Sequence, residues 1–271
     1  MSAEAMFSLR GKSVVVTGGG KGIGRGIAVA MARCGANVVI SGRDAAALAT
    51  TAEALQALGT AVLTVPGDIT RAGDRTHLLD TALQRFGYVH GWINNAGSAS
   101  PSDVGPLDGV DEGMWDRVVD LNLKAAFFAA QAAARAMTRG GSIVNISSRS
   151  ASYPNPGTGH YGAAKAALEN LTRTMAAEWG HRHIRVNAVA PGVVMTEELA
   201  KTFDSEAKIR RQVETVPLQR LGTPDDIGPL CAYLVSDASA WTSGALIGVN
   251  GGSFVPMGYL SYLHKVNGQT A

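Results

Sequence analysis

Short runs of β-branched residues alternate with longer Ala-rich stretches along this chain. Val14-Val15-Val16 gives way to a helical pattern from about Gly22 to Arg33, which Gly35 ends. Val38-Val39-Ile40 leads to a second helical pattern over Ala45 to Leu58, ended by Gly59. Ala61 to Val65 predicts a third strand and Trp92-Ile93 a fourth. Ser142 to Ile146 predicts a fifth, Ile184 to Ala190 a sixth, and Ala245 to Val249 a short last one. These runs do not alternate apolar with polar, so each strand is expected to be buried on both faces, as in a parallel sheet between helices. The fold class that follows is α/β: a doubly wound parallel sheet of about seven strands with helices on both faces. No Pro/Gly/Ser-rich linker and no internal repeat divides the chain, so residues 1–271 read as a single domain. The stretch from Val193 to Arg220 is polar, helix-prone and strandless. Its place after a strand's carboxyl end favours a lid of about residues 193–220 over a plain surface helix.

Composition narrows the partners. The chain has 271 residues, 46% hydrophobic and 17% charged, with a formal charge of +2. That length buries a substantial core and that balance is not a disordered one. The small charge, with no Lys/Arg cluster interleaved with aromatics, argues against nucleic acid. The most apolar helical stretch, Ala125 to Met137, is short and interrupted by Gln131 and Arg135, so no membrane partner is expected. Residues 1–10 hold Glu4 and Arg10 and lack the apolar run of a secretory signal. Cys34 and Cys231 lie far apart in helix-like segments and read as core residues of a reducing compartment. A cytoplasmic location is the expectation.

The first strand runs into Thr17-Gly18-Gly19-Gly20-Lys21-Gly22-Ile23-Gly24 and then a helix. Glycines at 18, 22 and 24 permit a tight turn and close approach of a pyrophosphate, while the helix N-terminus offers free N–H groups. Between a first strand and a first helix, this loop points to a bound dinucleotide. An acid at the end of the second strand would accept from a ribose 2′-hydroxyl and repel a 2′-phosphate. Here the strand ends Ile40-Ser41-Gly42-Arg43, and Lys21 sits in the loop. The missing acid and the two cations favour NADP(H), with NAD(H) as the alternative and Asp44 as a complication.

Asn145-Ile146-Ser147-Ser148 closes the fifth strand; Tyr161 follows thirteen residues after Ser148, and Lys165 four after that. Tyr161-Gly162-Ala163-Ala164-Lys165 is helical in character, so Tyr161 and Lys165 share a face. A phenol titrates near 10. An adjacent ammonium is expected to lower that value and fit Tyr161 for general acid/base work. Ser148 can hydrogen-bond a substrate oxygen beside the phenol. Ser147 offers a second hydroxyl, but the spacing to Tyr161 favours Ser148.

With these motifs together, the chain resembles the compact one-domain branch of the short-chain dehydrogenase/reductase family over about Leu9 to Gly252. The resemblance implies a Rossmann domain and an NADP-dependent oxidoreductase interconverting a ketone and a secondary alcohol. Ser148, Tyr161, Lys165 and Asn122 would be the catalytic set, with Asn122 holding Lys165 through water. Asp68 and Ile69 would flank the adenine. Asn94, Asn95, Ala96 and Gly97 would brace the sheet and meet the adenosine side. Pro191, Gly192, Val194 and Thr196 would line the nicotinamide end, and Lys165 would also grip its ribose. The stretch Pro217 to Pro224 is most similar to 3-oxoacyl-carrier-protein reductases, which makes Arg149 and Arg173 candidate carrier contacts. Sugar, polyol, steroid or general alcohol dehydrogenases running oxidatively are the rival enzymes, and a non-catalytic NADP sensor the rival of another class. The resemblance also implies a homotetramer or homodimer, with the small face at Ala163, Ala164, Ala166 and Ala167 permitting close helix approach.

Other residues depart from that pattern or read as structural. Asn250-Gly251-Gly252 stands where the family often has an acid before paired glycines. About twenty further residues, 253–271, with Phe254, Tyr259 and Tyr262, read either as a frayed end or as a tail reaching a neighbouring subunit. No metal site is expected: His181 and His183 suit a helix end, and His160 reads as solvent-exposed. Trp92, Trp115, Trp179 and Trp241 are scattered and read as packing residues. Asp225 and Asp226, after Pro224, read as helix-capping charges.

Overall fold

The computed structural model describes residues 2–98, 100–201, 203 and 205–253. Seven parallel strands form one sheet in the order β3-β2-β1-β4-β5-β6-β7: β1 (Ser13–Thr17), β2 (Asn37–Gly42), β3 (Val62–Pro66), β4 (Gly91–Asn94), β5 (Gly141–Ile146), β6 (Ile184–Pro191) and β7 (Leu246–Val249). The helices that flank it are α2 (Gly22–Arg33), α3 (Ala45–Gln56), α4 (Ala72–Phe86), α5 (Glu112–Val119), α6 (Ala125–Ala136), α7 (Gly159–Trp179) and α10 (Pro224–Val235). Three more, α1 (Ala3–Phe7), α8 (Glu197–Ala200) and α9 (Glu206–Glu214), complete the set among the described residues. The architecture is a single-domain doubly wound α/β fold, as the alternating runs predict.

Unbroken apolar strands fill two cores at once. Val14, Val16, Val38 and Ile40 face one side with Ile27 and Met31 of α2 and Ile227 of α10. Val15, Val39, Trp92 and Ile143 face the other with Leu78 of α4, Ala129 and Ala133 of α6 and Met175 of α7. Successive strand residues point to opposite faces, which is why both neighbours of Val15 belong to the other core.

The chain steps outward from β1 to β3, then returns to β4 beside β1. That reversal opens a crevice beyond the strand carboxyl ends, where ligands of such sheets bind. A buried amide chain braces the centre: Trp92 Nε1 donates to Asn94 Oδ1 at 2.8 Å, Asn94 Nδ2 to Asn145 Oδ1 at 2.9 Å, and Asn145 Nδ2 to Thr172 Oγ1 at 2.9 Å. It ties β4, β5 and α7 together directly below the crevice.

The segment that follows β6 holds α8 and α9, and backbone bonds join its two ends. Met195 N donates to Gly222 O at 2.8 Å and Gly222 N to Val193 O at 2.9 Å. Asp226 forms a capping box with Thr223 and takes both Nη atoms of Arg220 at 2.7 Å, so it acts as the capping charge expected. Not every surface expectation holds. Trp92 is core, but Trp241 is fully exposed and Trp115 is 46% exposed, so neither packs as expected. No helix among the described residues is long and apolar enough to cross a membrane. The tail proposal concerns Phe254, Tyr259 and Tyr262, which lie outside the described residues.

Candidate active site

Two cavities meet over the carboxyl ends of β1 and β4, sharing Gly18, Lys21, Ala96 and Gly97. One, of about 510 Å³, runs toward Ser41, Arg43, Asp68 and Ile69. The other, of about 410 Å³, runs toward Ser148, Tyr161, Lys165, Gly192 and Thr196. The shape is that of an elongated ligand with two unlike ends.

The glycine loop forms the joint. A methyl on Gly24 would lie 2.1 Å from the Gly18 oxygen, so only glycine lets the start of α2 approach the strand end this closely. Thr17 Oγ1 accepts from the amides of Asn95 and Ala96, each at 3.0 Å, and Asn95 Nδ2 donates to Thr17 O at 2.9 Å. These bonds lock the loop to the end of β4. No side chain caps the first turn of α2, whose N-cap is Lys21. Its free N–H groups and positive dipole end therefore suit a pyrophosphate. The residues present fit a dinucleotide.

At the far end of the first cavity, Gly42 leaves the β2 terminus without a carboxylate, and Arg43 is exposed in the wall with no hydrogen bond or ion pair to a described residue. Lys21 differs from expectation. Its ammonium is paired with Asp44 at 2.6 Å, which holds Lys21 above and Asp44 below their usual pKa ranges. Asp44 also N-caps α3 by accepting from Ala47 N at 3.0 Å. Of the two cations, Arg43 is the one without an ion pair to a described residue, and its charge acts on Asp68 across the cavity.

At the other end, Tyr161 and Lys165 sit one turn apart on α7, with Lys165 Nζ 5.7 Å from the Tyr161 ring centroid. Ser148 N-caps a 3-10 turn, Arg149–Ala151, by accepting from Ser150 N at 3.1 Å, and its hydroxyl also bonds the Tyr161 phenol. The expected depression of the phenol by Lys165 is not what the structure shows. The surrounding protein withdraws the phenol from water and raises its pKa, opposed only by the Ser148 hydrogen bond. Burial lowers Lys165 to about 8, and its Nζ donates to Ile146 O at 2.9 Å.

Asn122 lies in a π-helical turn, Asp120–Lys124, between α5 and α6. Its Nδ2 donates to Ser98 O at 2.8 Å and Val118 O at 3.0 Å, while its buried Oδ1 has no partner among the described residues. A methyl on Gly97 would lie 2.6 Å from that oxygen and 3.0 Å from Lys165 Nζ, so both groups face the space above Gly97. Ser147 does not compete with Ser148, because its buried hydroxyl donates to Glu169 Oε1 at 2.7 Å. Val194, Thr196 and Leu199 line the cleft from the segment after β6, and α8 is held near α2 by Glu197 and Arg25 at 3.7 Å.

One further expectation is corrected here. His160 is not solvent-exposed: it is 1% exposed, packed in the first turn of α7, with neither ring nitrogen bonded to a described residue. Arg149, a candidate carrier contact, is half-buried, and one N–H of its guanidinium donates to Ser253 O at 3.1 Å. Among the described residues no group of three His, Cys, Asp or Glu is placed to hold a metal. Sequence reasoning missed Glu169. Its four-residue spacing from Lys165, which itself follows Tyr161 by four, was the available signal.

Residues 18–253 match a family model described as enoyl-(acyl carrier protein) reductase. A short-chain type dehydrogenase/reductase of Picea abies is 36% identical over 253 residues, 90% of this chain and 93% of that protein. Among solved structures, a putative short-chain alcohol dehydrogenase from Sinorhizobium meliloti superposes with a TM-score of 0.87 at 38% identity, covering 92% of this chain and 98% of the other. A 7α-hydroxysteroid dehydrogenase complexed with NADH and 7-oxo glycochenodeoxycholic acid also gives 0.87, at 34% identity over 93% and 98%.

Proposed function

The chain belongs to the short-chain dehydrogenase/reductase family, and from that premise we propose that it reduces a ketone to a secondary alcohol, reversibly, with NADP(H) preferred over NAD(H). The observation that carries this reading is the meeting of Ser148, Tyr161 and Lys165 in a cavity that opens onto the glycine loop. When bound, the dinucleotide supplies or accepts the hydride at the substrate carbon.

The protein's own groups handle the oxygen. A phenol held above its ordinary pKa keeps its proton at neutral pH, so Tyr161 is loaded as a donor to a developing alkoxide. Ser148, bonded to that phenol, fixes the oxygen beside it. Lys165 stays mostly ammonium at pH 7 and lays a positive charge next to the forming phenolate. Asn122 and Lys165, facing one space, would share a water that returns the proton. Two hydroxyls converging on one oxygen site suit a carbonyl better than the carbon–carbon double bond of an enoyl thioester.

Arg43, unpaired in the cavity wall, and the missing acid at Gly42 support the 2′-phosphate. The Lys21–Asp44 pair leaves NAD(H) as the weaker alternative. Arg149 spends one N–H on Ser253 O and Arg173 lies three turns along α7 from Tyr161, which supports uncharged ketones over a carrier-bound 3-oxoacyl thioester. The same reading has a homotetramer or homodimer in the cytoplasm, supported by the free thiols of Cys34 and Cys231 and the exposed Ala163 on α7.

The test is a panel of ketones and enoyl thioesters assayed with NADPH and NADH, with Tyr161→Phe beside the native enzyme. Ketone turnover that falls about 10²–10⁴-fold in Tyr161→Phe, with NADPH still bound, is expected. Full activity in that variant would sink the mechanism, and turnover of enoyl thioesters alone would sink the reaction.

A further inference from the structure

Two side chains of α7, one turn apart, grip the same turn at the end of β5. Lys165 Nζ donates to the Ile146 oxygen at 2.9 Å, and Glu169 Oε1 accepts from Ser147 Oγ at 2.7 Å. All three side chains are buried: Lys165 and Ser147 are 3% exposed and Glu169 7%. A buried carboxylate on a helix face is expensive in stability, and an apolar residue of similar size would serve packing better. Beside it the same buried face carries Leu168 and Met175, together with Thr172, whose hydroxyl accepts from Asn145. What Glu169 adds is a fixed acceptor for the hydroxyl that immediately precedes Ser148.

The consequence is geometric. Ser147 N donates to Val189 O at 2.7 Å, so this residue still bonds β6 one position past the end of β5. Ser148, next along, is extended with φ −159° and ψ 153°, and it caps the following 3-10 turn. The direction of the Ser148 hydroxyl therefore depends on how the Ser147 residue is seated against α7, the helix that also carries Tyr161. We propose that Glu169 is a positioning residue for the reaction: by holding the Ser147 hydroxyl it sets the place of Ser148 relative to the Tyr161 phenol. The proposal rests on the ketone-reduction reading of the same site.

The experiment compares Glu169→Ala, Glu169→Gln, Ser147→Ala and the double variant Glu169→Ala/Ser147→Ala. Each is measured for kcat and KM in ketone reduction, for NADPH Kd by fluorescence, and for Tm. Misplacing a reacting group by about 1 Å costs on the order of 10²-fold. Glu169→Ala and Ser147→Ala are each expected to lower kcat by about 10–100-fold, with NADPH Kd within about 2-fold of native. Glu169→Gln, whose amide oxygen accepts the same bond, should stay within about 3-fold of native kcat. The double variant should be no slower than the slower single one, since both remove one bond. A Ser147→Ala enzyme with native kcat overturns the proposal, whatever Glu169→Ala does to folding. So does Glu169→Gln as slow as Glu169→Ala, or losses that multiply in the double variant. If the native enzyme turns over no ketone, the parent reading fails and takes this one with it; if ketone turnover is Tyr161-dependent and these variants are unimpaired, the positioning role alone fails.

Discussion

Lys165 donates to the carbonyl oxygen of Ile146 across 2.9 Å, so the helix that carries Tyr161 is tethered to the strand end that carries Ser148. The ammonium that makes this bond is withdrawn from water, and burial lowers it to about 8. One group thus joins the parts of the site and titrates near working pH.

The pH dependence of ketone reduction follows. In the proposed mechanism the ammonium form of Lys165 stabilises the developing phenolate, and Tyr161 begins protonated. Below about 8 both conditions hold, because the phenol is raised above its ordinary value. Above that pH Lys165 loses its proton first. The kcat/KM for reduction with NADPH is expected to be flat from about pH 6 to 7.5 and to fall roughly tenfold per pH unit above 8. A profile flat to pH 10 would remove Lys165 from the proton chemistry.

The same shift makes a stability prediction of opposite usefulness to the enzyme. Lys165 titrates from 10.5 in the unfolded chain to about 8 when folded. Between those values the unfolded state binds more protons, so stability rises with pH across this window. Below 8 the folded protein bears the full cost of a buried ammonium, about 3 kcal/mol. Loss of the bond to Ile146 O offsets about 1–2 kcal/mol of that in Lys165→Met. Lys165→Met should therefore be inactive yet more stable than native at pH 7 by about 1–2 kcal/mol in urea unfolding, an advantage that shrinks as pH rises from 8 to 10. A constant difference across that range would contradict the burial argument.

The cofactor preference turns on Asp44, whose carboxylate is held by Lys21 at 2.6 Å. Asp44→Asn keeps an N-cap side chain for α3 while removing the charge that neutralises Lys21 and repels a 2′-phosphate. It should raise the NADPH/NADH ratio of kcat/KM by about 10-fold, and Arg43→Ala should lower it by about 10–100-fold. Steady-state kinetics with both nucleotides reads the two effects with opposite signs. An unchanged ratio in both variants would move cofactor choice elsewhere in the cavity.

The fold was legible in the sequence because its signals are local. Runs such as Val14-Val15-Val16 and Ile184 to Ala190 announce doubly buried strands without knowledge of their neighbours. The glycine loop and the Tyr161/Lys165 spacing are local too, and the structure brings them to adjoining cavities. What sequence misread depends on who faces whom. His160 looks polar and exposed until α7 is packed, and the Tyr161 phenol is governed by its enclosure rather than by the ammonium one turn away. Lys21 lies in the glycine loop, but its partner Asp44 comes from the turn after β2, a meeting that only the β1–β2 pairing arranges. Trp241, 101% exposed, has the composition of a core residue and the position of a loop.

Gly97 provides the sharpest test of the space shared by Asn122 and Lys165. A methyl there would stand 2.6 Å from Asn122 Oδ1 and 3.0 Å from Lys165 Nζ, inside contact distance of both. The residue sits past the end of β4 in the cavity wall, so the methyl meets two polar groups of the site and no backbone of the sheet. Either the ammonium gives way, weakening its bond to Ile146 O, or the amide does, weakening its bonds to Ser98 O and Val118 O. Both routes displace the groups that would return a proton to Tyr161, while the core and the glycine loop are untouched. Gly97→Ala is therefore expected to lower kcat by about 10–100-fold, with circular dichroism native and Tm lowered by only a few degrees. Gly97→Ser should be at least as slow, since its hydroxyl adds bulk at the same point. Native kcat in Gly97→Ala would mean that neither Asn122 nor Lys165 needs its place above this residue, and the proton-return role would fall with it.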